Sequence, residues 1–202
     1  MFAIPLGPEG AQLRPLETWH AAEFLAHVER GRDFIGTYIG FVDAVVSRDA
    51  ARALLHKYAT KRAADEGYLY GIWTGCAEPG GGTLVGGVLF RVFDVRTGVC
   101  EIGCWLEPAG TGRGLVTRAC RVLVDWAFHE RGMHRVEWWA AAGNTASTAV
   151  ARRLGMTREA VLRESAARNG VRHDMEGWAL LAREWEARED GERRTEPRGA
   201  RA

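Results

Sequence analysis

The residues able to do chemistry gather around one loop, Pro108-Ala109-Gly110-Thr111-Gly112-Arg113-Gly114-Leu115-Val116-Thr117. It opens directly onto a helical pattern in which apolar residues recur at Val116, Ala119, Cys120, Leu123, Val124 and Ala127. Glycines at alternate positions let a ligand approach the main chain closely. The helix that follows aims free N–H groups and the positive end of its dipole at the same point. The guest such a junction accepts is a phosphate. Two further groups flank it in the chain. Glu101 lies on the preceding strand pattern, where alternation puts it on the same face as Gly103 and Trp105. Asn144-Thr145-Ala146-Ser147 begins a short capped helix that stops at Gly155.

The elements that must position these groups follow from periodicity and turn residues. Gln12 to Leu16 forms a short opening strand, and Thr18 caps a helix running to Gly31. Asp33 to Phe41 is aromatic and glycine-rich without a clean period. Its rings either line a pocket or cover the core edge. A second helix spans about Ser47 to Glu66. Tyr68–Thr74 and Leu84–Phe93 are strands joined by a turn at Glu78-Pro79-Gly80-Gly81-Gly82, and Val99–Leu106 is the third strand of an antiparallel run. After the long helix, a strand at 134–140 is reached by crossover and is therefore parallel to Val99–Leu106. Strands near Thr157–Arg163 and Val171–Leu181, joined around Asn169-Gly170, complete the sheet. The fold class is α/β, a mixed antiparallel and parallel sheet flanked by helices. One domain covers 1–185, and the charged segment 186–202 is expected to be a disordered tail.

Composition narrows the function classes. The chain has 202 residues, 47% hydrophobic and 26% charged, with a formal net charge of +1. That balance gives no electrostatic footprint for nucleic acid. Cys76, Cys100, Cys104 and Cys120 lack paired metal-ligand spacing, so buried free thiols in a reducing compartment are expected, with no metal. No segment approaches the roughly 18 apolar residues a bilayer span needs, and no apolar leader follows a basic start. A cytoplasmic protein without membrane contact is the expectation.

Taken together, Glu101-Ile102-Gly103-Cys104-Trp105-Leu106, Gly112-Arg113-Gly114 and Asn144-Thr145-Ala146-Ser147 followed by Leu154-Gly155-Met156 resemble the GNAT N-acetyltransferases, and within them the RimJ/RimL-like branch. The resemblance covers roughly Leu13 to Trp185. It implies acetyl-CoA as donor and a primary amine as acceptor. It puts the CoA pyrophosphate on Gly112, Arg113, Gly114, Leu115, Val116 and Thr117, and the pantetheine arm on Cys104, Trp105 and Leu106. Asn144 is kept in that branch, and Ser147 matches a serine proposed there to protonate the leaving thiolate. Thr111 and Val116 depart from the usual loop, and Ala151 stands where the broader family often has a tyrosine acid. Arg113, and Arg152 or Arg153, could contact phosphates, the alternative being solvated surface arginines.

Amine attack on a thioester needs an oxyanion donor, a proton acceptor and a thiolate donor. A backbone N–H at Cys104–Leu106 can serve the oxyanion. Glu101 is the first candidate base, against a structural ion pair within the sheet. Glu164 is the second, although strict alignment with the branch lands on Ala166. His134 is third. Trp138 and Trp139 are adjacent on a strand, so at most one is expected in the cleft. The resulting expectation is acetylation of the α-amino group of a protein or peptide. The alternatives are a small-molecule, antibiotic-type acetyltransferase and a catalytically degenerate acyl-CoA-binding module. A homodimer is among the expected partners.

Overall fold

A computed structural model describes residues 3–76 and 81–195, with 189–195 described by their backbone alone. The strands are β1 (Ile4–Pro5), β2 (Gln12–Pro15), β3 (Tyr68–Thr74), β4 (Thr83–Asp94), β5 (Val99–Leu106), β6 (Arg135–Ala141), β7 (Thr157–Arg168) and β8 (Val171–Leu181). Among the described residues they form one sheet in the order β1-β2-β3-β4-β5-β6-β8-β7. All neighbours pair antiparallel except β5 and β6, which are parallel as the helical crossover requires. The helices are α1 (Ala21–Gly36), α2 (Phe41–Ala44), α3 (Arg48–Ala63), α4 (Leu115–Asp125), α5 (Thr145–Arg153) and α6 (Ala182–Thr195).

Two cores sandwich the sheet. On one face, α4 and α5 press Leu115, Ala119, Leu123 and Val150 onto Ile72, Phe90, Ile102 and Trp138. On the other, α1 and α3 press Phe24, Val28 and Leu55 onto Leu69, Trp73, Leu84 and Trp105. Side-chain caps open two helices, whereas Thr18 does not cap α1: Glu17 is the N-cap of the single turn Thr18–His20 that leads into it. Ser47 Oγ accepts from Ala50 N (3.2 Å) to open α3, and Asn144 Oδ1 accepts from Ser147 N (3.2 Å) to open α5. Gly155, at φ 81°, ends the α5 segment.

Three differences from the sequence pattern have physical causes. Helix α1 does not stop at Gly31 but runs to Gly36. Gly31 is buried, and a Cβ there would meet Ile35 Cδ1 at 2.8 Å and Glu107 Cβ at 3.0 Å. The glycine provides close approach and is not a terminator. After α4 the chain takes a π-helical turn, Trp126–Glu130, before β6. At the C-terminal end, α6 extends to Thr195 where a structureless segment from 186 was expected. Its anchor is the buried Trp185, whose Nε1 donates to Asp125 Oδ1 at 3.3 Å. Of the predicted β3–β4 turn, Glu78-Pro79-Gly80 lies outside the described residues, as does 196–202 of the expected tail.

One feature of the sheet positions everything else. Strands β5 and β6 pair only through Val99↔Arg135, Cys100↔Val136 and Glu101↔Glu137. Beyond that point β5 stays with β4 out to Gly86↔Leu106, and β6 stays with β8 out to Ala141↔Met175. The two half-sheets therefore diverge, and a gap opens in the middle of the sheet.

Candidate active site

The gap is a cleft of about 1160 Å³. One wall is β5 from Gly103 to Leu106, and the other is β6 from Trp138 to Ala141 continuing into Asn144–Ser147. Among the described residues the edge of β5 facing β6 has no ladder partner past Glu101, so its main-chain polar groups face the opening.

The glycine loop closes one end. Gly112 (φ 74°) and Gly114 (φ 67°) both adopt the left-handed conformation that L side chains resist, and Gly114 is the N-cap of α4. The first helical bond runs from Arg118 N to Gly114 O (3.1 Å). The N–H groups of Leu115, Val116 and Thr117 are thus left at the cleft without intrahelical partners. Arg118, which the sequence reading passed over, also lines the cleft. Its Nε and Nη2 are buried without a hydrogen-bond partner among the described residues, while Glu9 stands at 4.0 Å. Arg121 and Arg153 line the same end, whereas Arg152 stacks its guanidinium 5.2 Å from the ring centre of Trp178. Three glycines, an open helix end and surplus guanidinium donors form a site that fits a diphosphate. Arg113 points elsewhere, to Glu9 at 3.3 Å, and is not among the lining residues.

Ser147 sits midway. Its N–H is taken by the Asn144 cap, and its Oγ accepts from Trp138 Nε1 at 3.0 Å. With an indole proton on one lone pair, the hydroxyl proton is free to be donated. Both Trp138 and Trp139 line the cleft, contrary to expectation. They do point to opposite faces. However, β6 is an open edge at this height, so side chains of both faces border the gap. Trp138 is buried against the α4 side, and Trp139 lies across Gly177, where a Cβ would meet its ring at 2.7 Å. Cys104 lines the β5 wall, and burial pushes its thiol up to about 12, which keeps it a neutral apolar surface.

Trp105 is held by a network that sequence reasoning missed. Its Nε1 donates to His27 Nε2 (2.9 Å), and His27 Nδ1 lies 3.0 Å from Glu107 Oε2. Arg30 completes it through Glu107 Oε2 (3.1 Å) and Leu84 O (2.7 Å). The indole proton makes Nε2 an acceptor, so Nδ1 carries the imidazole proton to the carboxylate. Burial lowers the His27 pKa, outweighing the attraction of Glu107, and holds the ring neutral. Only the glutamate after a strand end and a histidine on an amphipathic helix were visible locally, and their 80-residue separation gives no pattern to read.

At the far end, Phe34, Tyr38 and Ile39 meet Trp139, Ala166, Arg168, His173 and Met175. The aromatic stretch therefore divides. Phe34 and Tyr38 line the cleft, while Phe41 packs in the core 5.9 Å from Phe24 and 5.5 Å from Trp105. Tyr38 donates to Gly143 O (2.9 Å), and Arg168 Nε donates to Gly36 O (2.7 Å), tying the α1–α2 connection to the opposite half-sheet.

The structure does not bring the two expected carboxylates here. Glu101 lies in the paired part of β5, opposite Glu137, with Arg91 Nε at 3.1 Å. It is an ion pair in the sheet, its carboxyl raised mainly by burial. The bulge of β4 between Phe90 and Val92 presents Arg91 to it. Glu164 is exposed in a bulge of β7 at φ 51°, and borders a separate depression with Leu162 and Asp174. His134 opens β6, its backbone N–H bonded to Gly98 O. Among the described residues lining the cleft there is no Asp or Glu.

Comparison with known proteins agrees with this geometry. A family model of the acetyltransferase (GNAT) domain matches residues 11–157. YdaF of Bacillus subtilis strain 168, described as a candidate ribosomal N-acetyltransferase, is 31% identical over 183 residues, 88% of this chain and 94% of YdaF. RimL, the ribosomal L7/L12 alpha-N-protein acetyltransferase in complex with coenzyme A, superimposes with a TM-score of 0.81 at 20% identity, covering 89% of this chain and 97% of RimL. The microcin C7 self immunity acetyltransferase MccE, in complex with acetyl-CoA and AMP, gives 0.78 at 21% identity over 88% of this chain and 95% of MccE. At those identities the two structures speak for the fold alone. The family match and the YdaF relationship carry the assignment: this chain belongs to the GNAT acetyltransferase family.

Proposed function

We propose that the protein transfers an acetyl group from acetyl-CoA to the α-amino group of a protein or peptide, with Ser147 protonating the departing sulfur. The observation that carries the reading is the Ser147 hydroxyl. Trp138 occupies one of its lone pairs, no acceptor among the described residues takes its proton, and it faces a cleft whose other end is a diphosphate cradle. When bound, acetyl-CoA supplies a thioester carbonyl open to attack by an amine. Leu115, Val116 and Thr117 N–H groups and Arg118 would hold its diphosphate, with Arg121 and Arg153 beside them. The open edge of β5 at Gly103–Leu106 offers main-chain partners for the pantetheine arm and an N–H for the developing oxyanion. Neither Glu101 nor Glu164 serves as base in this reading, because neither borders the cleft.

The acceptor end favours a peptide amine over a polycation. Its lining is aromatic and aliphatic around Arg168 and His173, without a carboxylate to pair with several ammonium groups. The names of YdaF and RimL point the same way, while MccE represents the small-molecule alternative.

The test is thiol release from acetyl-CoA with a panel of peptides bearing free N-termini and of simple amines. Turnover on peptides is expected. Turnover confined to small amines would move the protein to the antibiotic-type reading, and acetyl-CoA binding without any turnover would make it a binding module. On the best acceptor, Ser147→Ala should lower kcat on the order of 10²-fold with acetyl-CoA affinity little changed. An unaltered kcat would remove Ser147 from the mechanism.

A further inference from the structure

An amine that attacks a thioester must lose a proton, and the cleft offers few groups to take it. The Tyr38 hydroxyl is committed as a donor to Gly143 O, the Cys104 thiol is protonated, and the arginines cannot accept. Among the described lining residues one imidazole remains. His173 lies on β8, where alternation puts it on the same face as Met175, and both border the cleft. Its cross-strand partner on β7 is Ala166, which leaves that side of the ring uncrowded. Tyr38 packs against it edge-on with ring centres 5.9 Å apart. Neither ring nitrogen has a hydrogen-bond partner among the described residues. The charged neighbours are already engaged: Arg168 with Asp43 and Gly36 O, Arg172 with Glu164 O, and Asp174 with Glu164 N.

Resting on the acetyl-transfer reading above, we propose that His173 is the base of the reaction and accepts the proton of the acceptor amine. The amine lone pair forms the N–C bond to the acetyl carbonyl carbon while one N–H proton passes to the imidazole. The C–S bond breaks with its electron pair going to sulfur, which takes a proton from the Ser147 hydroxyl. The serine regains a proton from solvent, and the imidazolium returns its own to solvent. Imidazole suits this task because an unprotonated ring nitrogen can accept the proton and later release it. The cross-strand placement also gives a reason for Ala166: a larger side chain there would stand beside the ring.

The experiment uses the full chain, acetyl-CoA and tripeptides with free N-termini that differ only in their first residue. His173→Ala should lower kcat on the order of 10²-fold while calorimetric acetyl-CoA binding is unchanged, and added imidazole should restore part of the rate. His173→Gln keeps a polar group of similar reach that cannot accept the proton, and should show the same loss. By nuclear magnetic resonance, the ring C–H signal that His173→Gln removes should shift on addition of the tripeptide and stay in place with CoA alone. Wild-type kcat in either variant, or loss of acetyl-CoA binding in both, overturns the assignment. A wild-type protein without turnover on every tripeptide and amine overturns the transfer reading itself, and the base falls with it.

Discussion

Ser147 and His27 show how much of a residue's role comes from partners far away in the chain. Ser147 was readable in the sequence only through the family resemblance, which matches it to a serine acid three residues after Asn144. What makes its proton available is the Trp138 indole, and that contact depends on how β6 packs against α5. For His27 nothing was readable, because Trp105 and Glu107 reach it across the sheet. Its burial has a pH signature. A histidine whose folded pKa is lowered takes up fewer protons than the unfolded chain as pH falls through the ordinary value of 6.5, so the stability it allows is present above that pH and lost below it. His27→Gln retains an acceptor for Trp105 and a donor for Glu107 but does not titrate. Urea unfolding at pH 7.5 and 5.5 should therefore show the wild type losing more stability than the variant over this interval. His20, also lowered by burial, titrates alike in both and cancels. Equal losses would show that the His27 network does not control acid stability.

At the level of elements, glycine alone shows why some boundaries were readable and others not. Gly155 and Gly31 look alike in the chain, each following a run of helical periodicity. Gly155 has a positive φ and ends its helix, whereas Gly31 lies inside α1 because Glu107 comes close. Local pattern identifies the residue, and only tertiary packing decides which use it has. The loop before α4 was readable because its constraint is local: Gly112 and Gly114 need positive φ whatever packs around them. Gly114→Val sets a β-branched residue at φ 67°, with its Cβ 3.3 Å from Arg118 Nη1. It should weaken acetyl-CoA binding by at least about 10²-fold, since about 1–2 kcal/mol of left-handed strain adds to the displaced donors. Calorimetry would measure this, with circular dichroism confirming the fold. Binding within threefold of wild type would refute the cradle.

For the whole molecule, alternation and helical spacing were enough to predict a mixed sheet with one parallel junction. They could not predict how far that junction pairs. The extent depends on strand twist and on which side chains fill the gap, so the sequence reading set Glu101 beside the reaction when it lies below the divergence, and allowed only one of Trp138 and Trp139 into the cleft. The two half-sheets are joined by three residue pairs of β5 and β6 and bridged again at the far end by Tyr38 to Gly143 and Arg168 to Gly36. Between those fastenings no strand among the described residues pairs with the facing edges of β5 and β6. A ligand arm lying along Gly103–Leu106 would then be a structural component as well as a substrate, borrowed for each turnover and released afterwards. Amide exchange at Gly103–Leu106 should slow on addition of CoA, and the thermal midpoint should rise with CoA concentration. If exchange there is indifferent to CoA, the arm lies elsewhere. On this view the empty enzyme is an incomplete sheet, and each catalytic cycle makes and unmakes part of its own architecture.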